Sequence, residues 1–328
     1  MNNVRVCVRI RPMQPFELKN GDVPTVAALP DQKSLRISSS VDNKRKIETQ
    51  QIRFDQVLAP ATTQLDLFHK SGCESFCDRA IDGFATTVFC FGQTGSGKTF
   101  TMSGPSDETH QHAESETMGL QFRGAHYISS VVEQIQEREG AGAVVMKASY
   151  IEIYNEHVND LLNDTTNLKV RWSQKGQSFF IENLMIVTCD GIDDVLAVLE
   201  EGANNRKRAS HKLNVDSSRS HVLFTMYFER RVGETSPLKM GKINFVDLAG
   251  SEKLRDSESS GVNAVETKAI NKSLFALGNV IQCLSSRTAT FVPYRDSTLT
   301  KLLMDSLGGN CMTLMVACVT PSSRFTEE

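Results

Sequence analysis

Hydrophobic and polar positions alternate, or cluster, in short runs along most of the chain. "VRVCVRI" (4–10) interleaves valine and isoleucine with arginine and cysteine, the period-two pattern of a half-buried strand. "TTVFCF" (86–91), "AVVMKASYIEIYN" (143–155), "HVLFTMYFER" (221–230), "KINFVDL" (242–248) and "CMTLMVACV" (311–319) are rich in β-branched and aromatic residues and predict further strands. Helical spacing lies between them. Over 63–81, Leu67, Phe68, Ser71 and Ser75 share a face that Phe76, Ala80 and Ile81 continue, predicting one helix. Residues 191–209 begin with acids and end with bases, the charge order that suits a helix dipole. In 262–284, Ile270, Leu274, Leu277, Ile281 and Leu284 recur at steps of 4, 3, 4 and 3, one apolar stripe. Strands mixed with helices predict an α/β fold, a sheet covered on both faces. The polar segments 102–118 and 251–262 read as loops, and with no long biased linker the 328 residues read as one domain.

Composition narrows this little. The chain is 40% hydrophobic and 23% charged, with a net charge of −3, so nothing marks it as a nucleic-acid binder. No apolar run reaches the length of a membrane span, and the N-terminus lacks the apolar core of a signal peptide. Eight scattered cysteines without a CxxC pair read as reduced thiols of a cytoplasmic protein. His110 and His112 stand two apart in a polar stretch, a solvated loop or a metal site.

The chemistry starts at "FCFGQTGSGKTF". Gly92, Gln93, Thr94, Gly95, Ser96, Gly97, Lys98 and Thr99 fit G-x-x-x-x-G-K-[ST] between an apolar strand and a helical stretch opened by Phe100. Glycines let backbone N–H groups approach phosphate oxygens. Lys98 can bridge the β- and γ-phosphates, and the Thr99 hydroxyl can bind Mg²⁺. Two later segments complete a nucleoside-triphosphate site. "NFVDLAGSE" (244–252) puts Asp247 at the end of an apolar strand, where it can hold the metal shell, and Gly250 where its N–H can reach the γ-phosphate. "NVDSSRSH" (214–221) supplies Ser217 and Ser218 to close over phosphate and metal, and Arg219 to pair with Glu252.

GQTGSGKT, NxxSSRSH and DLAGSE in this order resemble the kinesin motor domain. The resemblance spans almost the whole chain: "RIRP", "FDQV", "YIEIYNE", "ETKAINKSLFALGNVI" and "VPYRDSTLTKLLMDSLGGN" look like kinesin signatures. It implies a P-loop NTPase-type central mixed β-sheet with helices on both faces, ATP with Mg²⁺ as ligands, and a microtubule-stimulated ATPase motor. Microtubule-end remodelling and non-enzymatic microtubule binding are the alternatives. The guanine-reading N-K-x-D is missing, since "NKSL" (271–274) ends in leucine. Arg9, Arg11 and Pro12 match the family's adenine-side motif; the two arginines alternatively read as solvated strand residues. The resemblance also implies that switch I (214–221) and switch II (247–252) close through an Arg219–Glu252 pair. The 262–284 helix would then turn its stripe inward and present Lys268 and Lys272 to the microtubule, with Tyr294, Arg295 and Lys301 beside them. From the stripe alone, core is the commoner reading.

Some positions depart from the family pattern. Phe291 stands where histidine or tyrosine is common, Thr298 where a lysine is usual, and Phe122 where proline is usual. The 253–263 loop balances Asp256 and Glu258 against Lys253 and Arg255. The family's last helix and neck are expected beyond "VTPSSRFTEE", and oligomerisation and cargo binding in such further regions.

Overall fold

The computed structural model describes residues 4–41, 46–105, 116–213, 217–231, 237–252, 262–286, 291–308 and 311–325. His110, His112 and the 253–261 loop lie outside the described residues, as do the side chains of Ser217, Lys268 and Ile270. In chain order the first half comprises β1 (Val4–Ile10), α1 (Pro15–Lys19), β2 (Val26–Ala28), β3 (Ser34–Val41), β4 (Lys46–Arg53), β5 (Gln56–Leu58), α2 (Gln64–Ser71), α3 (Cys73–Ile81), β6 (Ala85–Phe91), α4 (Lys98–Met102), α5 (Leu120–Glu139) and β7 (Val144–Tyr154). There follow β8 (His157–Asp160), β9 (Val170–Ser173), β10 (Ser178–Ile181), β11 (Val187–Cys189), α6 (Ile192–Leu213), β12 (His221–Arg230), β13 (Lys239–Asp247), α7 (Val262–Ser285), α8 (Thr298–Leu302), α9 (Met304–Leu307) and β14 (Met312–Val319). One 3₁₀ turn at Ser217–Arg219 leads into β12.

The main sheet runs β11-β7-β12-β13-β6-β14-β1-β5, with β8 added beside β7. Its centre is parallel: β6 lies between β13 and β14, and β14 pairs β1. β12 and β7 are antiparallel to their neighbours, so the sheet is mixed, as the family resemblance implies. β2, β3 and β4 form a small antiparallel sheet, and β9 and β10 a hairpin.

Helices cover both faces. On one, Leu67 and Phe68 of α2, Phe76 of α3, Ile128 of α5 and Leu199 of α6 pack with Val88, Phe224, Phe245 and Val316 of the sheet. On the other, Leu277 and Val280 of α7 and Leu299 of α8 pack on Phe89, Leu223 and Val246. Phe224 and Phe245 stack at 6.3 Å between ring centroids, and Tyr150 meets Phe224 edge-on. Phe224 is fully buried. Phe224→Ala is therefore expected to cost about 4 kcal/mol, the transfer loss plus an aromatic-sized cavity. Chemical denaturation would show this as a lower midpoint.

Two sequence readings are corrected. The pattern over 63–81 is two helices, because Gly72 stands between α2 and α3 at φ 74°. A left-handed residue ends a helix, and the next restarts at an angle. Cys73, Phe76, Cys77 and Ala80 carry the buried face of α3, while Ser75 is exposed. In α7 the inward face is Ser273, Ala276, Leu277 and Val280, whereas Ile281 and Leu284 are 40% exposed. At about 100° per residue the buried four occupy one arc of about 100°, and Leu274 and Ile281 fall on its rim. Two of the four, Ser273 and Ala276, are small, so a count of large apolar residues does not register this face.

All eight cysteines are free, consistent with the reduced reading. No helix among the described residues is long and apolar enough to cross a membrane.

Candidate functional site

The site forms where the C-terminal ends of β6 and β13 lie side by side, Asp247 opposite Cys90. β6 is buried along its middle because its residues face helices on both sides. Its apolar run stops at Gly92, which φ and crowding reserve for glycine: φ is 150°, and a Cβ would lie 2.3 Å from the Cys318 carbonyl oxygen and 2.7 Å from Ser96 Oγ. The loop turns again at Gly95 and Gly97, both at positive φ, and Gly97 precedes the first residue of α4. The chain thus places the loop amides and the start of a helix around one point. The Ser96 hydroxyl is buried there with no hydrogen-bond partner among the described residues.

Lys98 is buried, its Nζ donating to the Gln93 carbonyl at 2.9 Å. Burial lowers its pKa, opposed by the nearby Asp247 and Glu252 carboxylates. Thr99 donates its hydroxyl proton to Asp247 Oδ2 at 2.7 Å. Asp247 is buried, and its other oxygen, Oδ1, has no hydrogen-bond partner among the described residues. Burial raises its pKa, offset mainly by Arg206, whose Nη1 stands 3.9 Å away. A threonine hydroxyl beside a carboxylate with an unpartnered buried oxygen is a hard oxygen donor set, and it fits Mg²⁺.

The loop after β13 is held to the site amide by amide. Ala249 N–H donates to His221 Nδ1, Gly250 N–H to the Ser218 carbonyl and Ser251 N–H to the Gly92 carbonyl. Gly250 admits no side chain here, since a Cβ would lie 2.4 Å from the Glu252 carboxylate and from Thr94 Oγ1. In this structure the Gly250 N–H, assigned from the sequence to the γ-phosphate, donates to the Ser218 carbonyl. Glu252, which the resemblance pairs with Arg219 on closure, accepts here from the Thr94 N–H at 2.7 Å and the Thr94 hydroxyl at 2.6 Å. Two donors from one residue clamp the carboxylate with charge-assisted bonds.

Neither arginine of "RIRP" is a solvated strand residue. Arg9 is buried and donates to Gln64 Oε1 and Thr101 Oγ1, its guanidinium 5.5 Å from the Phe100 ring centroid. Arg11 donates to the Gly95 carbonyl and forms a two-pronged bond with Glu17, whose side chain is fully buried. Arg9 thus braces the helix behind the phosphate loop, and Arg11 braces the loop itself. Pro12 is exposed beside them.

Gln64, Arg206 and His221 escaped the sequence reading. Gln64 links Arg9 to the Phe100 carbonyl. Arg206 approaches Asp247 and donates to Ser220 Oγ. His221 was within reach, as the last letter of "SSRSH"; the other two sit in ordinary helical patterns that carry no local signal.

The residues assigned to the track lie on the α7–α8 side of the sheet, and they are not equivalent. Lys272 is exposed. Arg295 is exposed, with its guanidinium over Trp172 and Phe179 of the β9–β10 hairpin at 5.7 and 5.9 Å. Lys301 is half-buried, and Tyr294 packs against the Leu299 cluster. Thr298 is not a surface position that lost a charge. It is buried at the start of α8, its N–H and hydroxyl donating to Glu156. An acidic side chain suits that helix end. Phe122 is a core residue of α5, and Phe291 is largely exposed.

A mixed sheet with a phosphate loop between central β6 and α4, and an acidic strand end beside it, defines a P-loop α/β domain. The chain belongs to the kinesin motor domain family, whose description matches residues 9–328. Kinesin-like protein KIF12 of Mus musculus is 38% identical, covering 99% of this chain and 50% of that protein. Kinesin-related protein 3 of Dictyostelium discoideum is 38% identical over 98% of this chain and 26% of its own length. The kinesin heavy chain of Syncephalastrum racemosum is 37% identical over 98% and 33%. The chain therefore spans half or less of these relatives. A solved structure described as that of a fast kinesin superposes with a TM-score of 0.86 at 32% identity, covering 98% of this chain and 86% of that one.

Proposed function

We propose that this chain is a microtubule-stimulated motor ATPase core that hydrolyses Mg-ATP and couples the 217–221 and 247–252 segments to microtubule binding. The observation that carries this reading is the Thr99–Asp247 pair, with its unpartnered buried oxygen, beside the phosphate loop. Thr99, Asp247 and Ser218 would hold Mg²⁺, which when bound neutralises charge on the phosphate oxygens. The amides of 92–99 and Lys98 bind the phosphates. Ser217, Ser218, Gly250 and Glu252 close over them, and Arg219 stabilises that closure. Thr94 then has to exchange Glu252 for phosphate, so closing the site and filling it are one event. Gln93, Ser96 and Phe100 shape the loop around the nucleotide. Lys268, Lys272, Arg295 and Lys301 face an acidic track, with Tyr294 setting the position of Arg295. The protein acts in the cytoplasm on microtubules.

The test is ATP turnover with and without microtubules at two salt concentrations. Stimulation that fades with salt is expected, because exposed cations are screened over about 8 Å at physiological ionic strength. Lys272→Ala should raise the microtubule concentration for half-stimulation by about threefold, with maximal turnover little changed, since one exposed charge near an acidic surface contributes under about 1 kcal/mol. Nucleotide binding without stimulation would favour a non-motor binder. Loss of tubulin from microtubule ends would favour end remodelling.

A further inference from the structure

One ring joins three segments. His221, the first residue of β12, is 3% exposed. Its Nδ1 accepts the Ala249 N–H at 2.9 Å. A backbone amide nitrogen only donates, so Nδ1 is the bare nitrogen and Nε2 carries the proton. That proton faces Ser273 Oγ, 2.7 Å away on the inward side of α7. Burial, with the Lys98 and Arg206 charges that face the ring, pushes its pKa down to about 3. The imidazole is therefore neutral and holds this tautomer.

We infer that His221 is a positioning residue that couples the loop after β13 to α7, through the Nε2–H···Oγ bond to Ser273. The inference rests on the ATP reading above. A histidine that merely fills a core needs one partner for each polar atom, and the nearest backbone supplies it. Here the two nitrogens are engaged by different elements, and the ring itself is anchored in a third. Imidazole is rigid. When Gly250 and Glu252 rearrange around phosphate, Ala249 between Asp247 and Gly250 shifts with them. The ring then either carries Ser273 along or surrenders a buried hydrogen bond. Leaving such a donor unpaired is unfavourable, so the shift is transmitted to the helix. α7 carries Lys272 immediately before Ser273, so the transmitted shift arrives beside an exposed cation of the proposed track face.

Ser273→Ala separates this from a packing role. It removes the Nε2 acceptor, keeps the Ala249 bond and leaves the side-chain volume almost unchanged. The chain and the variant would be compared by hydrogen exchange of α7 peptides, with and without Mg²⁺ and a non-hydrolysable ATP analogue. The unaltered chain is expected to change α7 protection on binding the analogue. The variant should bind it within about threefold yet lose most of that change, the size of effect expected when a coupling contact is cut. Basal turnover should hold, while microtubule-stimulated maximal turnover falls about tenfold at an unchanged half-stimulating microtubule concentration. An α7 response in Ser273→Ala equal to the parent's, or none in a parent that binds the analogue, overturns the inference. So does a parallel fall of basal and stimulated rates, the mark of a structural role. A parent that fails to bind the analogue overturns the ATP reading first and this coupling with it.

Discussion

Lys98→Ala is expected to reduce ATP turnover about a thousandfold, because a buried charge aimed at a phosphate site stabilises charge that a solvent-filled gap cannot. Among the described residues its ammonium donates to the Gln93 carbonyl, inside the same loop, and burial lowers its pKa. It lies near Asp247 and Glu252, whose charges oppose that lowering. Alanine removes the cation that phosphate needs while leaving both carboxylates, which then repel a triphosphate. Affinity and turnover should therefore fall together, unlike a change that acts in the transition state alone. Nucleotide titration by a fluorescent ATP analogue and steady-state turnover would show both losses. A circular dichroism spectrum like the parent's would exclude unfolding. Turnover within tenfold of the parent would remove Lys98 from the site.

Glu252→Ala should separate the two quantities. Turnover is expected to fall by about two to three orders of magnitude, the usual cost of losing one positioned polar group at a reacting centre. Nucleotide affinity should be unchanged or tighter. The reason is specific to this geometry: Glu252 occupies the Thr94 N–H and hydroxyl, donors within the phosphate loop. Without the carboxylate, those donors are available to phosphate from the start, and one negative charge leaves the vicinity of a triphosphate. Arg219→Ala should lower turnover in the same direction if the Arg219–Glu252 pair forms on closure. Normal turnover in Glu252→Ala would remove the residue from the hydrolytic assembly. Weakened binding would mean that the Thr94 clamp holds the loop open for nucleotide rather than competing with it.

The phosphate loop was legible because each of its constraints is local. Gly92 admits no side chain, Gly97 precedes the helix at positive φ, and Thr99 stands at the second residue of α4. Such requirements appear as residue types at fixed spacing. Asp247 was legible for a similar reason: a carboxylate ending an apolar strand has no structural rationale of its own. β1 was placed by its alternation, and β12 and β14 were placed within a residue by their β-branched and aromatic content. The partners of Arg9 were not legible. Gln64 and Thr101 are 55 and 92 residues away, and neither type announces a ligand of arginine. Likewise Thr298 reads as a missing surface charge until Glu156 is seen to bind it across 142 residues.

The Thr94–Glu252 contact was not legible for a different reason. A sequence motif names residues that act together but carries no information about which arrangement they adopt. That choice is made by donors brought together from separate segments, here Thr94, 158 residues from Glu252. The inward face of α7 shows the same division. Its helical period is set by local spacing, but which arc turns inward depends on the sheet beneath it, against which Leu277 and Val280 pack while Ile281 stays 40% exposed. Local sequence thus determined the elements, the phosphate loop and the family, because backbone conformation and phosphate contact constrain neighbouring residues. Tertiary structure alone decided the burial of Arg9 and Thr298, the Thr94–Glu252 clamp and the His221 bridge, because a hydrogen bond's energy depends on proximity in space, which residue spacing does not encode.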